Sequence, residues 1–269
     1  MQAHTTQSSI EPRASAPAER GVREQLGEAI GRWLSPVVAT LSRLRRARMF
    51  HPDGALYEAH LEATVTDGPY ADFAHRLGRT VLARVSPALW RNGRERFEVL
   101  GIALRFHRGA KLSTRVAPTD QDLLLATIAS PLTMGRAVLT TNAHDFLANR
   151  YYGVSPFAFG GDHRIEIRLT PLAHAVGEGP RAARLAAAVA AGEAQFRLEV
   201  RRTLTRRWAP IATLRLVRPV DLDQAALAFD PFQAGEGLVP VGAIHVIRRA
   251  VYAASRRARS ALGEPRTAS

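Results

Sequence analysis

Near its carboxyl end the chain sets one phenol between guanidiniums. In Arg248-Arg249-Ala250-Val251-Tyr252-Ala253-Ala254-Ser255-Arg256-Arg257-Ala258-Arg259 the residues Arg248, Tyr252 and Arg259 are spaced by four and then seven. On a helix of about 3.6 residues per turn that spacing puts them on one face. A tyrosine with the ordinary pKa of about 10 is a neutral phenol at neutral pH. A cation one turn away favours the anion, and arginine carries its charge permanently. A tyrosinate stabilised in this way can ligate ferric iron. The plainer account of the pattern is a surface helix whose tyrosine packs inward while its arginines are solvated.

Other chemistries are narrowed by what the chain lacks. Cysteine is absent, which removes disulfides, thiolate ligation and a cysteine nucleophile, so metal chemistry must use His, Tyr or carboxylates. His60, His107, His144, His163, His174 and His245 stand in no recognised metal-ligand spacing, and no His-Glu-x-x-His occurs. They read as structural. His51 lies in His51-Pro52-Asp53-Gly54, a turn by composition.

Charge speaks to partners. The chain carries 37 Lys+Arg against 24 Asp+Glu, a formal +13, and nearly all the cations are arginine. Anionic small ligands, anionic lipid or nucleic acid would gain from that balance, as would a codon bias toward arginine. Aromatic residues are not interleaved with the Arg43, Arg45, Arg46 and Arg48 cluster as a base-stacking platform needs, so nucleic acid is not expected. No apolar stretch approaches the roughly 20 residues that span a bilayer, and the first residues lack the apolar core of a signal peptide. The expectation is a cytoplasmic protein without a transmembrane segment, capable of peripheral membrane contact. The apolar stripe of its first helix makes a homodimer plausible.

The elements that must position these residues follow from periodicity. Residues 1–20 read as a loose arm, 21–262 as one domain and 263–269 as an unstructured tail. Val22 to Arg48 has apolar residues at helical spacing, including Leu26, Ile30, Trp33, Leu34, Val37 and Leu41. Ile165 to Leu169 and Phe196 to Val200 alternate as half-buried strands do. Leu61 to Thr66, Val99 to Phe106 and Ile211 to Val217 are further strand candidates, the second apolar enough to be central. Arg181 to Ala194 reads as a helix, and Gly242 to Leu262 as a long basic one. Strands without regular βαβ alternation predict an α+β fold built on an antiparallel sheet or barrel.

Arg-x-x-x-Tyr with a further Arg seven residues on resembles the proximal heme-binding helix of catalases. The approach to it, Phe229-Asp230-Pro231-Phe232 and then Gly237-Leu238-Val239-Pro240, is similar to the segment before that helix in the family. Arg48-Met49-Phe50-His51 resembles the family's distal Arg-x-x-His, and Arg84-Val85-Ser86 its Arg-Phe-Ser. Gly101-Ile102-Ala103-Leu104-Arg105-Phe106 looks like its Gly-Phe-Ala-x-Lys-Phe strand. Tyr151-Tyr152-Gly153-Val154-Ser155-Pro156-Phe157 looks like a stretch of the smaller catalase-like proteins. These matches keep their order from about residue 46 to 260.

The resemblance implies a minimal catalase-like antiparallel β-barrel with surrounding helices, binding heme b. Tyr252 would be the axial ligand to iron, as tyrosinate is in catalases, and Arg248 its charge partner. Arg48, Arg84 and Arg259 would bind the propionates, since the planar guanidinium suits a carboxylate. His51 would be the acid-base that moves a proton between peroxide oxygens, and Ser86 would orient it.

The chain departs from the family in two places. Pro52-Asp53-Gly54 follows the histidine where catalases have a small residue and a glycine turn. Thr127-Ile128-Ala129-Ser130-Pro131 stands where catalases carry Gly-Asn-Asn-Thr-Pro, so the distal asparagine is missing. Thr127 would offer a hydroxyl only if the register shifts by one. The expected activity is therefore a heme peroxidase acting on organic, fatty-acid hydroperoxides and/or hydrogen peroxide, with weak true catalase activity. The alternative is a non-catalytic heme- or lipid-binding protein that kept the fold.

Overall fold

The computed structural model describes residues 54–241, apart from positions 91–93, 110, 131–132, 154–155, 160–162, 175–176 and 225. Its strands are β1 (Ala55–Ala63), β2 (Thr80–Pro87), β3 (Leu100–Phe106), β4 (Gln121–Ala126), β5 (Tyr151–Gly153), β6 (Phe157–Phe159), β7 (His163–Pro171), β8 (Gln195–Arg202), β9 (Ala209–Pro219) and β10 (Val239–Pro240). Its helices are α1 (Ala71–Leu77), α2 (Met134–Thr140) and α3 (Arg181–Ala190), with a 3₁₀ turn at Phe146–Ala148.

Alternation of side chains explains how the strands assemble. Tyr57, Ala59 and Leu61 of β1, Val81, Ala83 and Val85 of β2, and Ile102, Leu104 and Phe106 of β3 all lie in one buried cluster. Leu123 and Leu125 of β4, Ile165, Ile167 and Leu169 of β7, Phe196, Leu198 and Val200 of β8, and Ala212, Leu214 and Leu216 of β9 join the same cluster. Strands that all bury one face must curl around it. The hydrogen-bonded order β5-β4-β3-β2-β1-β9-β8 is closed by β7, which pairs with both β5 and β8, so eight antiparallel strands form a barrel. Closure leaves no free edge among these eight. Each fully buried Leu or Phe contributes roughly 1.5–3 kcal/mol relative to exposure.

Two helices close the ends. The short α1 links β1 to β2 and buries Phe73, Ala74 and Leu77 in the barrel core; α3 links β7 to β8 and buries Leu185, Ala188 and Val189 there. Because β1 and β7 run in opposite directions around the ring, the two helices plug opposite mouths.

The outer surface differs around the barrel. Over β1 and β2, Leu56 and Leu82 pack with Leu227 and with Leu112, Val220, Leu222 and Phe229, so the segment after β9 folds back along the wall. Over β7 and β8 the outer positions are ion pairs, Glu166 with Arg201 and Glu199 with Arg168 and Arg197.

Four elements differ from their sequence expectations. The strand placed at Leu61 to Thr66 instead starts at Ala55 and ends at Ala63. The bulge in the β1–β9 ladder beside Glu58 and Ala59 falls on β9, where Val217 is the extra residue, and the inward alternation of Tyr57, Ala59 and Leu61 continues through it. β2 and β4 were not expected as strands, because β2 is buried on both faces and the outward Leu124 and Ala126 of β4 are apolar though half-buried, so no period of two shows. The helix expected to reach Ala194 ends at Ala190, where Gly192 takes φ +75° and turns Ala194 into the core.

Candidate functional site

β2 carries the candidate residues. With Ala83 and Val85 turned inward, Arg84 and Ser86 must point to the outer wall, and both are nevertheless buried. The Nη1 of Arg84 donates to Ser86 Oγ at 3.4 Å, and its Nε donates to Gln224 Oε1 at 3.4 Å. Gln224 Nε2 in turn donates to the Gly54 carbonyl at 2.8 Å. A Cβ on Gly54 would lie 2.8 Å from the Arg84 guanidinium carbon. Gly54 therefore rests directly on Arg84, and a larger residue there would have to push the guanidinium aside.

Register defines the surface beside these two side chains. Ser86 faces Gly101 on β3, and Gly101 faces Ala126 on β4; in the adjacent row Arg84 lies between Leu56 and Ala103. Small residues at Gly101, Ala103 and Ala126 make this part of the wall flat. At its margin Ile128 packs with Ala88, Val99, Ala126, Ala137 and Val138, an apolar patch at the position where the sequence lacks an amide.

The hydroxyl of Thr127 is not available as a substitute for that amide. Thr141 Oγ1 donates to the Ala137 carbonyl at 2.8 Å, so the 2.7 Å contact between the two threonine hydroxyls uses the Thr127 proton. Thr127 Oγ1 also accepts from Leu100 N at 3.2 Å. Asn142 uses its side-chain oxygen to accept from His144 N at 3.0 Å.

Arg48, His51, Arg248, Tyr252 and Arg259 lie outside the described residues. Of the tyrosines inside them, Tyr57 and Tyr151 point into the barrel. Burial raises the pKa of Tyr57, and that of Tyr151 stands well above the ordinary value through burial first and the Asp145 carboxylate second. Tyr151 also donates to the Phe146 carbonyl at 2.6 Å. Neither phenol is suited to ionise. Among the described residues no cluster of His, Asp and Glu could hold a metal ion.

Sequence reasoning missed the groups that fix the wall. Arg105 and Asp122 face each other across β3 and β4 and are joined by two hydrogen bonds of 2.7 Å. Arg105 Nη2 also donates to the Ala228 carbonyl, and Asp122 Oδ2 accepts from Asp230 N at 2.7 Å. This pair therefore clamps the Phe229-Asp230 approach segment onto the barrel. Burial pushes the Asp122 carboxyl up from its ordinary range, while Arg105 and the Asp230 N–H pull it back down. Gln121 continues the clamp, donating to the Gln233 carbonyl at 2.8 Å and accepting from Leu238 N at 3.2 Å. Farther along, Glu98 accepts from Ala88 N, Leu89 N and Val99 N at 3.1, 2.8 and 2.9 Å, which fixes the chain just past Ser86. The Arg in the Gly-Ile-Ala-Leu-Arg-Phe stretch was the one available signal.

A closed eight-stranded antiparallel barrel with a few helices and this strand order is a catalase-like α+β fold. In agreement, the chain is similar to the crystal structure of a fungal catalase, with a TM-score of 0.56 and 13% sequence identity over 94% of this chain and 67% of that one. No family model and no curated protein matches the sequence.

Proposed function

We propose that the chain binds heme b against the outer wall of β2–β4 and acts as a peroxidase-like enzyme on fatty-acid-like hydroperoxides and/or hydrogen peroxide. The observation that carries this reading is the buried pair Arg84 and Ser86 on a wall of glycine and alanine. A planar macrocycle bearing carboxylates needs a flat surface and a desolvated cation at its edge, and these residues fit both needs. Arg48 and Arg259 would join Arg84 at the propionates. Tyr252 would hold the iron, with Arg248 keeping its phenol ionised.

When bound, heme would supply an iron able to polarise a peroxide bond. The remaining work falls to the chain. His51 takes the proton from one peroxide oxygen at its free ring nitrogen and returns it to the departing oxygen. Its position is favoured by Gly54, three residues downstream, since three residues of chain reach at most about 11 Å and Gly54 sits on Arg84. Ser86 orients the imidazole. The apolar patch around Ile128 favours an alkyl chain over water beside the peroxide.

The test is reconstitution. Hemin added to the full chain should be bound with the Soret band of a five-coordinate ferric tyrosinate heme, and Arg84→Leu should weaken that binding. Protein that takes up no hemin would overturn the proposal. The packing of Ile128 also favours a second reading, a heme- or lipid-binding protein without turnover; a holoprotein that consumes neither cumene hydroperoxide nor hydrogen peroxide would establish it.

A further inference from the structure

The hairpin between β8 and β9 presents a leucine where turn geometry calls for glycine or asparagine. Thr205 N donates to the Arg202 carbonyl at 3.0 Å, closing a β-turn whose third residue is Leu204 with φ +71°. A positive φ at that turn position is favourable for Gly or Asn and strained for a branched side chain. The turn is held firmly. Thr205 Oγ1 donates to the same carbonyl at 2.7 Å, and Thr203 N donates to the Arg164 carbonyl at 2.9 Å. The held conformation leaves Leu204 97% exposed, more than any other large apolar side chain among the described residues.

Cations surround this tip. Arg202, Arg206 and Arg207 flank it and Arg164 stands next to it on β7; all four are exposed, and among the described residues none has an ion-pair partner. Elsewhere on the same face, arginines are neutralised by Glu166 and Glu199. An apolar tip ringed by exposed guanidiniums matches the boundary of an anionic bilayer, where a leucine enters the acyl region and the cations meet phosphates. We propose that this hairpin docks the protein onto anionic membrane surfaces, at the barrel end plugged by α1 and opposite the end near Ser86.

Nucleic acid fits the same surface less well. Trp208 is the aromatic residue beside the tip, and the Arg168 and Arg201 guanidiniums cover its ring at 4.2 and 4.5 Å. A base would have to compete with these two guanidiniums for the ring, and a polyphosphate offers nothing to Leu204.

Leu204→Asn tests the idea without changing charge and suits the positive φ, so its thermal midpoint should equal or exceed that of the wild type. In co-sedimentation of the full chain with phosphatidylserine-containing vesicles, it should lower partitioning about tenfold. Arg206→Ser/Arg207→Ser should lower it about 25-fold, at about fivefold per cation, whereas Arg136→Ser/Arg150→Ser should change it little. Wild type should bind pure phosphatidylcholine vesicles far more weakly. The proposal is overturned if wild type ignores anionic vesicles, if Leu204→Asn binds them as well as wild type, or if both arginine pairs matter equally. It is also overturned if the preferred partner is duplex DNA or RNA with binding unaffected at Leu204.

Discussion

Arg105 and Asp122 meet across β3 and β4 with no solvent exposure on either side chain, joined through two 2.7 Å hydrogen bonds. Removing one partner leaves a buried charge alone. Arg105→Leu should therefore destabilise the fold by about 3–5 kcal/mol, and should also release residues 228–230, which the pair holds. Arg105→Leu/Asp122→Leu should recover most of that loss, because no uncompensated charge remains. Urea midpoints of the two variants check both statements.

Glu236 provides a pH signature. Its carboxylate is buried and accepts from Arg79 at 2.9 Å and Arg108 at 3.1 Å. Burial opposes ionisation, but the two arginines outweigh it and hold the pKa below the ordinary 4.5. A carboxyl with a depressed folded pKa stabilises the protein above its unfolded value and loses that contribution as pH falls through the folded value. Glu236→Gln should thus be less stable than wild type at neutral pH, with the gap closing progressively below about pH 4.5. Thermal midpoints measured across that range would show it.

Gly54 and Arg84 should be coupled. A methyl group at position 54 would sit 2.8 Å from the guanidinium carbon, so Gly54→Ala must move the arginine head while leaving the core untouched. Heme affinity should fall roughly tenfold or more, about the value of one charge-assisted hydrogen bond, with less than about 1.5 kcal/mol lost in stability. Hemin titration alongside denaturation separates the two effects.

The contrast between these residues explains what the sequence could and could not reveal. Ile165 to Leu169 and Phe196 to Val200 alternate openly because one face of β7 and β8 meets water and carries Glu166, Arg168, Glu199 and Arg201. β2 is covered on both faces, on the outside of Leu82 by the segment carrying Leu222, Leu227 and Phe229, and β4 turns apolar Leu124 and Ala126 outward, so their period is hidden and only family resemblance pointed to Arg84 and Ser86. Arg105 and Asp122, 17 residues apart, look like ordinary solvated charges until the register of β3 and β4 brings them together. Leu204 carried no signal, since exposure and positive φ exist only in the folded turn.

The distal wall makes a prediction about substrate. Ile128 lies in an apolar patch and the Thr127 hydroxyl is engaged, so neither residue supplies an amide-like donor there. Organic hydroperoxides should be consumed faster than hydrogen peroxide. His51→Ala should lose about 10²- to 10⁴-fold on both, the usual contribution of a positioned acid-base, and Ile128→Asn should shift preference toward hydrogen peroxide. Steady-state kinetics with cumene hydroperoxide and hydrogen peroxide on the three proteins decide the matter.

The central claim is that Tyr252 holds the iron of a bound heme, and the most direct measurement is the absorption spectrum of Tyr252→Phe beside Tyr57→Phe and Tyr151→Phe after equal exposure to hemin. Tyr57 and Tyr151 face the barrel core with raised pKa values, so their variants should keep the wild-type Soret band, with Tyr57→Phe closest to native stability. Tyr252→Phe should lose the tyrosinate-to-iron charge-transfer absorption and most of its heme. An unchanged Soret band in Tyr252→Phe, or a lost one in Tyr57→Phe with the fold intact, would contradict the account.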